Sequence, residues 1–208
     1  MARTTRWEDV PNRGYGPKFG ELIREGTDVD GEARLADALI TRHSTVLDAG
    51  SGMGRVAAAL VARGHRVTAV EKDPGLVEQS AATFPELGVT TADLIDLSPG
   101  FMSEVGQPTS YDLVVMVGNV IVYLAPDSEI EVLSGLESLM APNGRMLVGF
   151  NPKHGPNGAR DYAPEEFEAD AAAAGLVVEH RFGTYELHPA SEDYCVYVLA
   201  SRRAGIPG

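Results

Sequence analysis

Three acids and three glycines, spaced through the first half of the chain, have the chemistry to hold a nucleoside. Asp48 ends the apolar run "VLDA", and Gly50, Gly52 and Gly54 follow at alternate positions. Glycines permit a tight turn and let a ligand approach the backbone closely. Glu71 closes a second apolar run, "RVTAVE", 21 residues after Gly50. A carboxylate at that place accepts hydrogen bonds from both hydroxyls of a ribose. Asp93 follows a third run, "GVTTA". It has the geometry to accept from an adenine amino group while the backbone of Leu94 meets a ring nitrogen. A turn aspartate also bonds its own backbone, and Asp96 competes for the same role. Asp73 before Pro74 is best explained as a helix cap.

Two nucleoside cofactors fit the glycines. Residues Gly52 to Ala57 satisfy G-x-G-x-x-A, the fingerprint of dinucleotide binding. Asp48 argues against that choice. A dinucleotide places its pyrophosphate against the following helix N-terminus, where a carboxylate just before the glycines repels it. S-adenosylmethionine has no phosphate and carries an ammonium and a sulfonium, which an acidic wall attracts. The acid thus favours this second cofactor.

The elements that must place these residues alternate regularly. Asp30 is positioned to cap a helix carrying Ala33, Leu35, Ala36, Leu39 and Ile40. "STVLDA" is predicted as a buried strand, and Val56 to Arg63 as a helix stopped by Gly64. Strand "RVTAVE" leads to a helix from Asp73-Pro74 to about Phe84. "GVTTA" is a weak strand and "YDLVVMVG" a strong one. Ser128 and Glu131 form a potential capping box. The helix they open puts Ile130, Leu133, Leu136 and Met140 on one face and is ended by "PNG". "RMLVGF" is a fifth strand, and Pro164 starts a helix with Phe167, Ala171 and Ala174, closed by Gly175. "LVVEHRFGTYEL" and "DYCVYVLASR" read as long final strands joined by "HPASE", a link too short for a parallel crossover. Strand–helix alternation means a mostly parallel, doubly wound sheet in one α/β domain, residues 28–203, with its ligand beyond the C-terminal strand ends. Residues 1–27 read as an irregular arm or short cap helix, and 204–208 as a frayed tail.

Bulk properties narrow the partners. The 208 residues carry 30 acids against 17 Lys and Arg, a net charge of −13. That field disfavours polyanions, so nucleic acid is not the expected partner. No apolar run reaches bilayer length, no signal core opens the chain, and the one cysteine, Cys195, forms no internal disulfide. A cytoplasmic protein without membrane attachment is expected.

In order, "VLDAGSGMGR", "VTAVEKD", "TADLIDL" and "YDLVVMVGNVIVYLAP" resemble the successive motifs of class I S-adenosylmethionine-dependent methyltransferases. The resemblance covers roughly Val46 to Phe150 and extends through the final hairpin. It implies a Rossmann-like, seven-stranded sheet in the order 3-2-1-4-5-7-6 with strand seven antiparallel. It implies S-adenosylmethionine as cofactor, bound by Asp48, Gly50, Ser51, Gly52, Gly54, Glu71, Lys72, Asp93, Leu94 and Gly118. Methyl transfer is an in-line displacement in which the protein aligns and desolvates, so no fixed catalytic set is required. Asn119, after strand four, and His154, in the loop after strand five, are the catalytic candidates. His180 is expected to be structural, and His188 is a further basic group. Arg13, Tyr15 and Lys18 are placed to close over the cofactor carboxylate or substrate, while Trp7, Tyr15 and Phe19 serve equally well as packing anchors. Tyr185 and Tyr194 are assigned to the sheet. "GNVIVYL" lacks the two prolines and aromatic that accompany the Asn or Asp of base-modifying amine methyltransferases. Asp127 and Asp161 lack the spacing of a magnesium site, so no metal is expected. The acceptor is expected to be a small molecule. A non-catalytic cofactor-binding protein, an NAD(P)-dependent oxidoreductase and a protein or RNA methyltransferase are the alternatives.

Overall fold

In a computed structural model, residues 3–10 and 14–204 are described, apart from the side chains of Tyr15 and Ala204. The expectations for Arg13, for the Tyr15 side chain and for the tail from 205 onward fall outside the described residues.

The strands are β1 (Thr45–Ala49), β2 (Arg66–Glu71), β3 (Val89–Thr91), β4 (Tyr111–Met116), β5 (Met140–Phe150), β6 (Leu176–Phe182) and β7 (Cys195–Ser201). They form a single sheet in the order β3-β2-β1-β4-β5-β7-β6. The first five pair in parallel, and β7 runs antiparallel to both β5 and β6. The expected order and orientation are thus observed. The order reverses between β1 and β4, so their C-terminal ends flank the crevice where such sheets bind ligands.

The helices are α1 (Tyr15–Arg24), α2 (Gly31–Ala38), α3 (Arg55–Ala62), α4 (Pro74–Thr83), α5 (Pro99–Glu104), α6 (Glu129–Ser138) and α7 (Pro164–Ala173). Period-two alternation sorts the central strands onto two buried faces. Val46, Leu113 and Val115 pack with Ala33, Ala36, Val56 and Leu60 of α2 and α3. Leu47, Val114 and Met116 pack with Leu133 and Leu136 of α6 and Phe167 of α7. Asp48 shares the face of Val46, so its side chain points toward α2 and α3. This parity, set by one strand, decides which charges Asp48 meets.

Several local expectations are corrected. Asp30 precedes α2 but makes no capping bond; it lies 3.4 Å from Arg63 instead. Ser128 does not cap α6, because its hydroxyl donates to the Ala125 carbonyl at 2.7 Å. Ile130 is exposed and the buried face is Val132, Leu133 and Leu136. Helix α6 ends at Ser138, before "PNG", which lies within β5 where the pairing with β4 shifts register. Strand β6 stops at Phe182, and the following connection to Cys195 is far longer than "HPASE". Helix α5 was not expected. Among the described residues no helix is long and apolar enough to cross a membrane.

Asp73 caps α4 as expected, accepting from the backbone of Gly75 at 2.8 Å and Leu76 at 3.4 Å. Gly54 opens α3 with φ +84°, and a Cβ there would meet Ser80 Oγ at 2.5 Å and Leu87 Cδ2 at 2.6 Å. Gly54→Ala therefore combines a strained dihedral with a clash. It is expected to destabilise the protein by about 2–4 kcal/mol in urea unfolding.

Candidate active site

The turn between β1 and α3 is built by backbone hydrogen bonds and one buried acid. The amides of Gly50 and Ser51 both donate to the Val70 carbonyl at 2.9 Å, tying the turn to β2. Gly50, at φ +81°, also lies under Val120, whose Cγ1 would sit 2.6 Å from a Cβ. Glu71 secures the other side. Its Oε2 accepts from Gly52 N at 2.8 Å, and its Oε1 accepts from Lys72 N and Asp73 N, each at 2.8 Å. Burial raises the Glu71 carboxyl above its ordinary range, while these three N–H groups pull the other way. Glu71 is a scaffold of the turn as well as part of a cavity wall.

Asp48 lies beneath the turn, 2 % exposed. Its Oδ2 has no hydrogen-bond partner among the described residues, and Ser51 Oγ has none either. Burial pushes the Asp48 carboxyl up to about 7, opposed by the Arg55 charge and the Ala57 N–H. Arg55 forms a two-pronged pair with Glu32 of α2, including Nη1 to Oε2 at 2.8 Å. Its Nη1 also donates to the Val29 carbonyl at 2.6 Å, and the guanidinium lies 4.5 Å from the Phe19 ring centre.

At the β2–β3 end, Lys72 Nζ bridges Glu8 Oε2 at 2.7 Å and Asp93 Oδ2 at 2.9 Å. Asp93 Oδ1 accepts from Ile95 N at 3.3 Å, the local turn bond that its position allowed. Leu94 is buried beside it, and Asp96 is exposed. At the β4 end, Asn119 is left-handed with φ +75°. Its N–H donates to the Gly149 carbonyl at 3.0 Å, and its Oδ1 accepts from Asn151 N at 2.8 Å. Asn119 thereby clamps the end of β4 to the end of β5.

These groups border one cavity of ≈ 590 Å³. That size suits a small-molecule site, on the order of 300–1,000 Å³. Gly50, Gly52, Glu71, Lys72, Asp93, Leu94, Gly118 and Asn119 all reach its wall. Asp48, Ser51 and Gly54 do not; they shape and charge the turn from behind. Lys18 and Phe19 of α1 line it, as does Trp7. His154 is a correction. It lies in a separate recess with Asn151, Lys153, Glu192 and Asp193, its backbone held by Asp161. The same loop after β5 brings Pro156 and Asn157, but not His154, to the cavity wall.

Sequence reasoning also missed residues. Tyr185 and Tyr194 line the cavity instead of belonging to the sheet. Their hydroxyls are 3.0 Å apart, and burial raises both above the ordinary phenol range. The long β6–β7 connection brings them there, and misjudging the strand ends hid them. Glu32 and Arg55 were missed because each reads as an ordinary surface helix residue.

The family described as a methyltransferase domain matches residues 47–146. A TehB-like S-adenosylmethionine-dependent methyltransferase from Corynebacterium glutamicum is 30 % identical in sequence. The match covers 90 % of this chain and 96 % of that one, with a TM-score of 0.78. The chain belongs to the class I S-adenosylmethionine-dependent methyltransferases.

Other relatives are more distant. The CcbJ methyltransferase from Streptomyces caelestis (20 % identity, TM-score 0.71) is covered over 90 % of its length and matches 84 % of this chain. Likewise, a Burkholderia thailandensis 1,6-didemethyltoxoflavin-N1-methyltransferase (21 % identity, TM-score 0.61) is covered over 86 % and matches 89 %. Both share the fold. A ribosomal RNA small subunit methyltransferase A of Mycobacterium is 32 % identical over 109 residues, 48 % of this chain. The match spans 34 % of that relative's length.

The cavity fits the cofactor of this methyltransferase family. Glu32, Glu71 and Asp93 line it, with Asp48 buried behind the turn. Among the described residues three cations line the wall: Arg55 is paired with Glu32, Lys72 with Glu8 and Asp93, and Lys18 of α1 is the third. That donor set attracts a sulfonium and an ammonium and opposes a pyrophosphate.

Proposed function

We propose that this chain transfers a methyl group from S-adenosylmethionine to a small-molecule acceptor. The observation that carries the reading is the continuity of one cavity. Its wall carries both the acids Glu32, Glu71 and Asp93 and the apolar side chains of Trp7, Val10, Tyr123 and Leu124.

In this reading Glu71 takes the ribose hydroxyls on the free side of Oε2. Asp93 and Leu94 border the adenine, and Lys72 holds Asp93 in place. The Gly50–Gly52 backbone lies against the nucleoside. Asp48 and Glu32 supply negative potential for the cationic end, and the Gly118 carbonyl accepts from the ammonium. Once bound, the cofactor supplies a methyl carbon on a sulfonium, which an acceptor lone pair displaces in line, leaving a neutral thioether. Asn119, locked between β4 and β5, positions the acceptor side of this site. The Trp7 arm and Tyr123 exclude water from it. Exclusion of water strengthens the charge effects of the buried acids.

An RNA acceptor is the second reading, favoured by the name of the mycobacterial relatives. The net charge of −13 opposes it. The two readings part on one experiment. The protein is incubated with methyl-labelled S-adenosylmethionine and either a fraction of small metabolites or purified 16S ribosomal RNA. Label is expected in the metabolite fraction. Label entering the RNA, with none in small molecules, would overturn the small-molecule reading.

A further inference from the structure

Part of the cavity wall is shaped by three separate segments. Trp7 and Val10 come from the N-terminal arm, Tyr123 and Leu124 from the turn after β4, and Pro156 and Asn157 from the loop after β5. The two rings stand edge to face, 5.3 Å between centres and 83° between planes. Each is held at its polar end by an independent anchor. Trp7 Nε1 donates to Asp73 Oδ2 at 2.7 Å. Tyr123 donates its hydroxyl proton to the Asn157 carbonyl at 2.9 Å. The arm is fixed by its backbone too, with Trp7 N donating to the Tyr123 carbonyl at 3.3 Å and Arg6 Nη1 to the Leu124 carbonyl at 2.8 Å. The chamber is therefore formed in advance, which reduces the ordering cost of binding.

The charges packed around Trp7 and Tyr123 are matched within the protein, while Lys18 of α1 also lines the cavity. Arg6 and Arg160, which bond the chain on either side of Tyr123, both pair with the buried Glu129. Lys72 sits between Glu8 and Asp93. An anionic ligand would have to break such pairs, and desolvating a charge here is costly. Aromatic walls held in fixed orientations favour a flat partner, since ring contacts add to the gain from apolar burial.

We propose that this chamber selects an uncharged, planar aromatic or heteroaromatic ring as the acceptor, held against Trp7 and Tyr123. The proposal rests on the methyltransferase reading of the same cavity and specifies its substrate class.

Trp7 is the chain's one tryptophan, so its fluorescence reports occupancy directly. Binding of S-adenosylhomocysteine is first measured by calorimetry. The protein saturated with that product is then titrated with quinoline, with quinoline-4-carboxylate and with cyclohexanol. Quinoline is expected to change Trp7 fluorescence saturably, with a Kd at least about tenfold below the other two. Tyr123→Leu, which removes the ring, is expected to weaken quinoline about tenfold, a larger loss than it causes in S-adenosylhomocysteine affinity. Tyr123→Phe keeps the ring and should retain quinoline. Equal or tighter binding of the carboxylate or of cyclohexanol overturns the proposal, as does no saturable response to quinoline. Unchanged quinoline affinity in a folded Tyr123→Leu overturns it too. Failure of S-adenosylhomocysteine to bind at the start overturns the methyltransferase reading beneath it and, with that, the proposal.

Discussion

Replacing Glu71 with alanine is expected to lower S-adenosylhomocysteine affinity by about 100-fold and to destabilise the ligand-free fold by about 2–4 kcal/mol. The structure shows one role for this side chain, and the proposed cofactor contact adds a second. Its carboxylate accepts from Gly52, Lys72 and Asp73, holding the glycine turn, the end of β2 and the start of α4 together. Alanine leaves three amides without that acceptor, and water entering the cavity only partly replaces it. The proposed ribose contact is removed at the same time. Glu71→Gln separates the two roles. Its amide oxygen still accepts from Lys72 and Asp73, but its NH₂ then opposes the Gly52 N–H. Stability should fall by only about 1–2 kcal/mol while affinity falls about tenfold. Urea unfolding and calorimetry on the same preparations test both. An unchanged unfolding midpoint in Glu71→Ala would contradict the scaffold role.

The second large effect belongs to Asp48 and carries a pH signature. Its carboxyl titrates near 7 in the fold, against an ordinary aspartate value of 3.8, because burial disfavours the charge. The unfolded chain releases this proton at the lower pH, and the folded chain holds it. The contribution is therefore favourable below about pH 4 and is lost as pH rises through about 7. Above pH 7, Asp48→Asn removes a buried charge and should stabilise the ligand-free protein by about 2 kcal/mol. A cationic cofactor favours the ionised acid. Wild-type affinity for S-adenosylmethionine should accordingly tighten from pH 6 to pH 8, by up to about tenfold. In Asp48→Asn that slope should vanish and affinity at pH 8 should drop by about tenfold. The measurement is calorimetric titration of both proteins at several pH values. The same slope in both would remove Asp48 from the account.

The sheet was legible because its central strands are buried on both faces. "RVTAVE" and "YDLVVMVG" read as strands by their apolar runs, and they occupy β2 and β4. The strand order came from the resemblance and the short final link. The cap at Asp73 was legible because Pro74 fixes the first helical position, leaving Oδ1 on Gly75 and Leu76 while Oδ2 takes the Trp7 indole N–H. The expected caps failed at Asp30 and Ser128, where another partner was available: Arg63 in one case, the Ala125 carbonyl in the other.

For the site, spacing along the strands located the acids but not their neighbours. Asp48, Glu71 and Asp93 end consecutive stretches of the parallel sheet, so they gather at one edge. Whether each faces the cavity depends on parity and on local hydrogen bonds. Asp48 ended up behind the turn and Glu71 under three amides, which spacing alone does not reveal. Tyr185, Tyr194, Glu32 and Arg55 reach the cavity through tertiary packing of the β6–β7 connection on α2 and α3, and nothing local marks them.

The acid-lined glycine turn is expected to bind the cofactor of a methyltransferase. Calorimetry on the wild-type protein at pH 7.5, with S-adenosylhomocysteine and NADH titrated separately, tests it most directly. One-site binding of S-adenosylhomocysteine with a Kd in the range of about 1–100 μM, and no saturable heat from NADH, is the predicted result. Saturable NADH binding to folded protein that does not bind S-adenosylhomocysteine would contradict it.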